Sequence, residues 1–86
     1  MYNEKNIKKK VFKILKKNSY NRKKVYDESL LTSDLGIDSL GFISVIADLE
    51  DELGIEVQEE ELVYLSDTEK EMTAGFMVEL VKKWRD

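Results

Sequence analysis

Apolar positions recur at helical spacing in three long segments of the chain. The first segment predicts a helix from Glu4 to Lys17, with Asn3 as a candidate N-cap. One face of this helix carries apolar residues, and lysines occupy the opposite face, as in an amphipathic helix. The apolar stripe consists of Ile7, Val11, Ile14 and Leu15, with Phe12 at its edge.

The second segment predicts a helix that starts at Asp38 or Ser39, ends at Leu53 and is terminated by Gly54. Apolar side chains cover more than half of its circumference, and acidic side chains take most of the remainder. We therefore expect it to be the most buried helix of the domain. Its main apolar stripe is formed by Phe42, Val45, Ile46, Leu49 and Leu53, and Leu40, Ile43 and Ala47 widen that stripe.

Two further helices are predicted in the C-terminal half. A short helix from Glu59 to about Leu65 begins with acidic residues, which suit the positive end of a helix dipole. The start of the last helix is open, because Thr68 would begin a longer helix with a capping box and Thr73 a shorter one. Its apolar residues at every fourth position are Met72, Phe76, Leu80 and Trp84, flanked by Met77 and Val81.

Residues 18–37 show no sustained periodicity, and Asn, Ser, Thr and Gly recur in them, so they predict a long connection between the first two helices. A loop of this length is uncommon in a compact domain unless it has a function. The pattern predicts an all-α fold, a small four-helix bundle with three long helices, one short helix and this long first loop. No repeat or linker is visible, so we expect one domain over residues 1–86.

Composition limits the chemistry that the chain can perform alone. It has no histidine, cysteine or proline, which excludes nucleophile–histidine pairs, disulfides, thiol redox chemistry and ordinary zinc sites. The longest apolar run, from Leu62 to Leu65, is far too short to span a bilayer. The N-terminus lacks the apolar segment of a secretory signal, so a cytoplasmic location is the default expectation.

Charge is unevenly distributed behind the net value of −4. Residues 1–26 carry a net charge of +9, residues 27–71 a net −14 and residues 72–86 a net +1. Such an asymmetry bears on partners rather than on the fold. A basic first helix would suit nucleic acid or a membrane surface, but the acidic middle of the chain would repel polyanions. We therefore expect no nucleic acid and no membrane as the main partner.

The segment from Asp34 to Ile43 places a serine where a helix begins, directly after a turn that contains Gly36. Unpaired N–H groups and the positive end of the helix dipole favour a phosphate on Ser39. Asp38 would keep this site polar and could also cap the helix. Taken alone, the pair Asp38-Ser39 is a common capping pair, and in the simplest interpretation the serine has no other role.

The surroundings of this pair resemble those in the acyl and peptidyl carrier proteins. The similarity consists of Leu-Gly-x-Asp-Ser-Leu from Leu35 to Leu40, followed by an apolar and acidic helix that ends before Ile55, and it covers essentially the whole chain. It implies that Ser39 is the attachment point of phosphopantetheine, moved from coenzyme A by a phosphopantetheinyl transferase. The thiol of that arm would carry an acyl or aminoacyl group as a thioester, so the protein would be a carrier and not an enzyme.

The resemblance also implies that the second and third helices present carboxylates to basic patches on enzymes that load or process the cargo. Charge complementarity of this kind speeds encounter and sets partner choice. We expect a monomer, because transient docking to several enzymes favours a free surface. The implied partner-binding residues are Leu40, Asp48, Asp51, Glu52 and Glu59, with Asp38, Glu56 and Glu60 around them.

Three questions stay open. Gly41 and Ser44 stand where carriers of fatty acid synthesis commonly have acids, so the motif looks closer to carriers of polyketide, nonribosomal peptide or D-alanyl transfer systems. A second possibility for the function is a helical interaction module without a cofactor, in which Ser39 only caps the helix. One set of apolar residues lines an acyl-chain cavity or simply forms the core: Phe42, Ile43, Ile46, Leu62, Phe76 and Leu80.

Overall fold

The computed structural model of the protein describes residues 4–20, 22–68 and 72–85. These residues form four helices, which are α1 (Glu4–Asn18), α2 (Ser39–Leu53), α3 (Glu59–Thr68) and α4 (Ala74–Arg85). The shortest is α3, with 10 residues, although it continues beyond its predicted end at Leu65. The predicted all-α class, the four-helix bundle and the long first loop are therefore confirmed. Within the described ranges, no helix is long and apolar enough to cross a membrane.

Helix α1 is the centre of the bundle, because it packs against both α2 and α4. All four residues of its predicted apolar stripe are buried, and Phe12 is half-buried at the edge of the core, as expected. The amphipathic pattern of α1 therefore identified the correct face. The lysines of the opposite face stay at the surface, where their charges remain hydrated.

Helix α2 is less buried than its sequence predicts. Its main stripe is buried at Phe42, Val45, Ile46 and Leu49. The residues that widen this stripe lie outside the core, since Leu40 is 78% exposed, Ile43 is 61% exposed and Ala47 is exposed as well. The expectation that α2 is the most buried helix was wrong, because the bundle covers only one side of its apolar surface.

Helix α4 buries a different stripe from the one with four-residue spacing. Phe76 is 47% exposed, and Leu80 and Trp84 are only partly buried against the core. A helix has 3.6 residues per turn, so each step of four residues rotates about 40° around the axis. Residues at every fourth position therefore cannot all face the same neighbouring helix. The buried residues of α4 instead lie at positions i, i+3, i+4 and i+7, and they are Ala74, Met77, Val78 and Val81.

The start of α4 is settled by Thr73. Its Oγ1 accepts a hydrogen bond from the Phe76 N–H at 3.1 Å, which is the bond of an N-cap. Thr68 ends α3 and therefore does not begin α4. The shorter of the two predicted helices is thus correct, and Met72 is buried just before it.

The second half of the long loop between α1 and α2 packs onto the core. Leu31, Leu35 and Ile37 are each at most 1% exposed. Backbone hydrogen bonds join this loop to the start of α4: the Leu31 N–H donates to the Met72 carbonyl at 3.0 Å, and the Ala74 N–H donates to the Ser29 carbonyl at 2.9 Å. The loop is therefore an ordered part of the bundle that leads directly into α2.

We expect Met77→Ala to lower the free energy of unfolding by about 2–5 kcal/mol, because it leaves a cavity in the core. Phe76→Ala removes a larger side chain but should cost about 1 kcal/mol or less, since much of the ring is already in water. Urea unfolding followed by circular dichroism measures both values. A larger loss of stability for Phe76→Ala than for Met77→Ala would mean that Phe76, and not Met77, is the core residue of α4.

Candidate functional site

Ser39 is the first residue of α2, and Asp38 is the N-cap of that helix. The Oδ1 atom of Asp38 accepts a hydrogen bond from the Gly41 N–H at 2.7 Å. The Asp38 carbonyl accepts the first helical bond from the Phe42 N–H at 2.8 Å. The structure therefore shows Asp38 as the cap of α2, and its exposed carboxylate also keeps the surroundings of Ser39 polar. The cap fixes the first turn of α2 and with it the backbone of Ser39.

A tight turn brings Asp38 and Ser39 to the surface. Gly36 has φ of 68°, in the left-handed region that a side chain rarely adopts. A Cβ atom on Gly36 would also lie 2.8 Å from the Cβ of Tyr20. Both the dihedral angle and the close approach require glycine here. The turn leaves Ile37 buried in the core and places the next two residues in solvent.

The C-terminal end of α1 lies beside this turn. The Tyr20 N–H donates to the Leu35 carbonyl at 3.0 Å, just before the turn. The side chain of Asn18 donates to Asp48 of α2 at 3.1 Å.

A Cβ atom on Gly41 would lie 3.2 Å from the capping oxygen of Asp38, which is tight for such a contact. The glycine at position 41, where the motif departs from fatty acid carriers, thus allows a close fit around the cap.

Exposed apolar side chains follow Ser39 along α2 and recur on α3. We name this patch the α2–α3 surface; it consists of Leu40, Ile43 and Ala47 of α2 and Val63 and Tyr64 of α3. A contiguous exposed apolar patch on a small protein marks an interaction site or a ligand groove. Its exposure was missed from the sequence, because an apolar stripe on a helix does not reveal which of its edges the fold leaves uncovered. The one signal was that the stripe of α2 is too wide for one contact.

An open groove of about 330 Å³ runs between α2 and α3 within this patch. Glu50 also faces the groove, and its Oε2 accepts a hydrogen bond from the Val57 N–H at 3.0 Å. Of the six residues considered for an acyl-chain cavity, Phe76 and Leu80 do not line this groove. The other four, Phe42, Ile43, Ile46 and Leu62, do line it, together with Ala47 and Val63.

The acidic residues predicted to bind partners fall into two groups. Asp48 lies 3.8 Å from the Lys17 ammonium, and Glu52 lies 3.6 Å from that of Lys10, so both carboxylates turn towards α1. Asp51 and Glu59 are exposed and belong to the solvent-facing side of α2 and α3. Of the predicted set, Leu40 belongs to the α2–α3 surface, Asp51 lies one helical turn after Ala47 on α2, and Glu59 lies one turn before Val63 on α3.

The fold and the site define a small helical protein with an exposed serine as the first residue of its second helix, directly after the capping aspartate. Comparison with protein families adds that the family described as the phosphopantetheine attachment site matches residues 23–73. The match covers more than half of the chain and includes Ser39. The chain therefore belongs to the phosphopantetheine-binding family, in agreement with the carrier protein motif. Searches of curated proteins and of solved structures found no match.

Members of this family carry phosphopantetheine as a covalently attached prosthetic group. This confirms the cofactor that the motif implies. The start of α2 fits such a group: Ser39 is exposed, and the positive end of the helix dipole favours the charge of a phosphate there. The capping bond of Asp38 keeps that helix end rigid.

We expect Gly36→Ala to lower the free energy of unfolding more than Gly54→Ala does. Both glycines have positive φ, at 68° and 64°, so a side chain costs about 1–2 kcal/mol at either position. Only Gly36 adds a steric conflict, because nothing lies within 4 Å of a Cβ at Gly54. Chemical unfolding of the two variants compares them directly. Equal losses would mean that Tyr20 moves aside at no cost.

Proposed function

We propose that the protein carries acyl or aminoacyl groups as thioesters on phosphopantetheine attached to Ser39, and delivers them to biosynthetic enzymes. The observation that carries this proposal is the position of Ser39, an exposed first residue of a capped helix inside the family-matched region. When bound, the group supplies the thiol that a chain without cysteine lacks. The enzymes served would be those of fatty acid, polyketide or nonribosomal peptide synthesis.

The residues of the chain itself position the arm and do no cargo chemistry. Asp38 holds the first turn through its bond to the Gly41 N–H, and Gly36 gives the turn that takes Ser39 to the surface. The helix end stabilises the negative charge of a phosphate on Ser39. A protein with these roles has no need of a catalytic residue, and we propose none. It is therefore a substrate of a phosphopantetheinyl transferase and not an enzyme.

A helical interaction module without a cofactor is the alternative function. Capping alone would explain Asp38, and it would leave Ser39 without a role. The carrier is supported better, because the chain belongs to a family whose members carry phosphopantetheine, and Ser39 lies within the matched residues. An enzyme that acts on a group attached through Ser39 must also bind the carrier near that residue, and the α2–α3 surface begins with the next residue, Leu40.

We propose that partner enzymes dock on the α2–α3 surface through Leu40, with Asp51 and Glu59 as its acidic rim. An apolar centre with a charged rim is the usual anatomy of a protein interface. Asp48 and Glu52 contribute less to docking, because their carboxylates are paired with lysines of α1. The protein acts as a monomer in this scheme, since self-association through the same surface would compete with the enzymes.

The attachment site is tested with coenzyme A and a phosphopantetheinyl transferase of broad specificity. The reaction joins Ser39 Oγ to the pantetheine phosphate, releases the hydroxyl proton and displaces adenosine 3′,5′-bisphosphate. Intact mass spectrometry should show wild-type protein gaining one phosphopantetheine group. Ser39→Ala should gain nothing, and Ser44→Ala, which changes another exposed serine of α2, should be modified like wild type.

Two outcomes would count against this proposal. If the wild-type protein gains no mass, it is not a carrier, and if Ser39→Ala still gains mass, the attachment point lies elsewhere. Treating the modified protein with acyl-loading and aminoacyl-loading enzymes would then identify the class of cargo.

The docking surface is tested by charge reversal. Asp51→Lys should lower the kcat/KM of the transferase by about threefold to tenfold at low ionic strength, because complementary charges speed encounter, and salt should reduce the difference. Asp48→Asn should leave kcat/KM nearly unchanged and act on stability instead, since it weakens contacts to Lys17 and Asn18. Steady-state kinetics at two salt concentrations distinguish these effects. A larger kinetic loss for Asp48→Asn would place the docking surface next to α1.

A further inference from the structure

The outward face of α1 carries a row of lysines that the carrier function does not explain. Lysines on both edges of this face are paired: Lys8 with Asp27 at 2.9 Å, Lys10 with Glu52 and Lys17 with Asp48. The edge lysines therefore have carboxylate partners within the fold. The lysines along the middle of the face are all exposed, and they are Lys5, Lys9, Lys13 and Lys16.

A groove of about 310 Å³ opens on this face, where the end of α1 meets the following loop. Phe12 and Val25 provide its apolar part; the ring of Phe12 is half-buried and Val25 is buried. Lys13, Lys16 and Lys24 complete the lining, and the ammonium of Lys24 lies 5.5 Å from the centre of the Tyr26 ring. We name these five residues the α1 basic groove. Neither Ser39 nor any residue of the α2–α3 surface lines this groove.

We propose that the α1 basic groove binds an acidic amphipathic segment of a partner protein. An apolar side chain of that segment would enter between Phe12 and Val25, and carboxylates beside it would meet the lysines. Lysines bury their carbon chains along apolar surface while their charges stay in water, so they suit such a mixed contact. The charge of the face and the apolar floor of the groove thus define the same ligand.

The surroundings of the groove favour a protein segment over a membrane. An amphipathic helix binds a bilayer by burying its apolar face in it. The apolar face of α1 is already buried in the core, at Val11 and Leu15 among others. A lipid surface would therefore contact only the charges and would leave the apolar floor of the groove unused.

Extended polyanions fit the face poorly as well. Glu52 and Asp48 lie along one edge of α1 and Asp27 lies along the other, each beside its paired lysine. A nucleic acid backbone that crosses the helix would pass over these carboxylates. A short segment confined to the groove avoids them, because every charged residue that lines the groove is a lysine.

The consequence is a second docking site on the carrier. A partner on the α1 basic groove leaves Ser39 and the α2–α3 surface accessible to enzymes. One protein could therefore retain the carrier while others act on its cargo. Opposite charges would also distinguish the two kinds of partner, since the α2–α3 surface has an acidic rim and the α1 basic groove a basic one.

The test uses a synthetic helical peptide in which glutamates flank a leucine stripe, and a matched peptide with glutamine in place of every glutamate. Isotope-edited NMR spectra of the full chain locate binding, and calorimetry at physiological salt gives the Kd. We expect the acidic peptide to shift signals of Phe12, Lys16 and Val25. The double variant K13E/K16E should weaken its binding by about tenfold, because two attractive contacts become repulsive.

Three variants serve as controls. Phe12→Ala should weaken binding without changing the charge, which tests the apolar floor. Lys83→Glu reverses an exposed lysine of α4 outside the groove and should leave the Kd unchanged. Ser39→Ala should also bind like wild type, so this experiment can fail or succeed independently of the carrier function. Circular dichroism confirms that each variant is folded.

Several results would overturn the proposal. The groove is not the site if the signals that move belong to the α2–α3 surface, or if the glutamine peptide binds as well as the acidic one. The partner class is wrong if duplex DNA or phosphatidylglycerol vesicles bind more tightly than the peptide and lose binding in K13E/K16E. Sedimentation that shows a dimer dependent on Lys13 and Lys16 would instead assign the face to a second copy of this chain.

Discussion

The attachment of the first loop to the core is the constraint on which the other parts of the structure depend. Leu31 and Leu35 are buried, and the Leu31 N–H bonds to the backbone just before α4. The loop thus fixes the start of α4 and, through Ile37, the start of α2. Because Ile37 is buried two residues before Ser39, the packing of the loop fixes the position of an exposed residue that itself lies outside the core.

Local signals predicted the parts of the fold that local chemistry decides. Asp38 and Gly54 mark the ends of α2 because a cap and a left-handed glycine act within a few residues. The wrong prediction for α4 has a different origin. Phe76 and Met77 are neighbours on the helix surface and both are apolar, so only the packing of α4 against α1 decides which of them is buried. Apolar residues at helical spacing are present on both the Phe76 side and the Met77 side of the helix, so periodicity alone does not choose between them.

The same division runs through the candidate site. The motif around Ser39 is short and contiguous, so the sequence sufficed to propose the attachment point and its cofactor. The proposed partner surface is formed by separate helices, so which of its residues lie side by side depends on tertiary packing. Asp48 and Asp51 look equivalent in sequence, yet the first faces Lys17 of α1 and the second faces solvent. The charge pattern of the sequence does not distinguish a carboxylate that is paired with a lysine of α1 from one that is exposed to solvent.

The lysines of α1 extend this argument to the charge asymmetry of the whole chain. A net −14 over residues 27–71 would by itself oppose a compact fold through self-repulsion. Lys10 and Lys17 offset part of that repulsion where α1 meets α2, which gives a structural reason for some of the basic residues. The ion pairs between α1 and α2 involve Lys10 and Lys17, whereas Lys13 and Lys16 line the α1 basic groove. An acidic segment in that groove would give these two lysines the opposite charges that α2 gives to the other two.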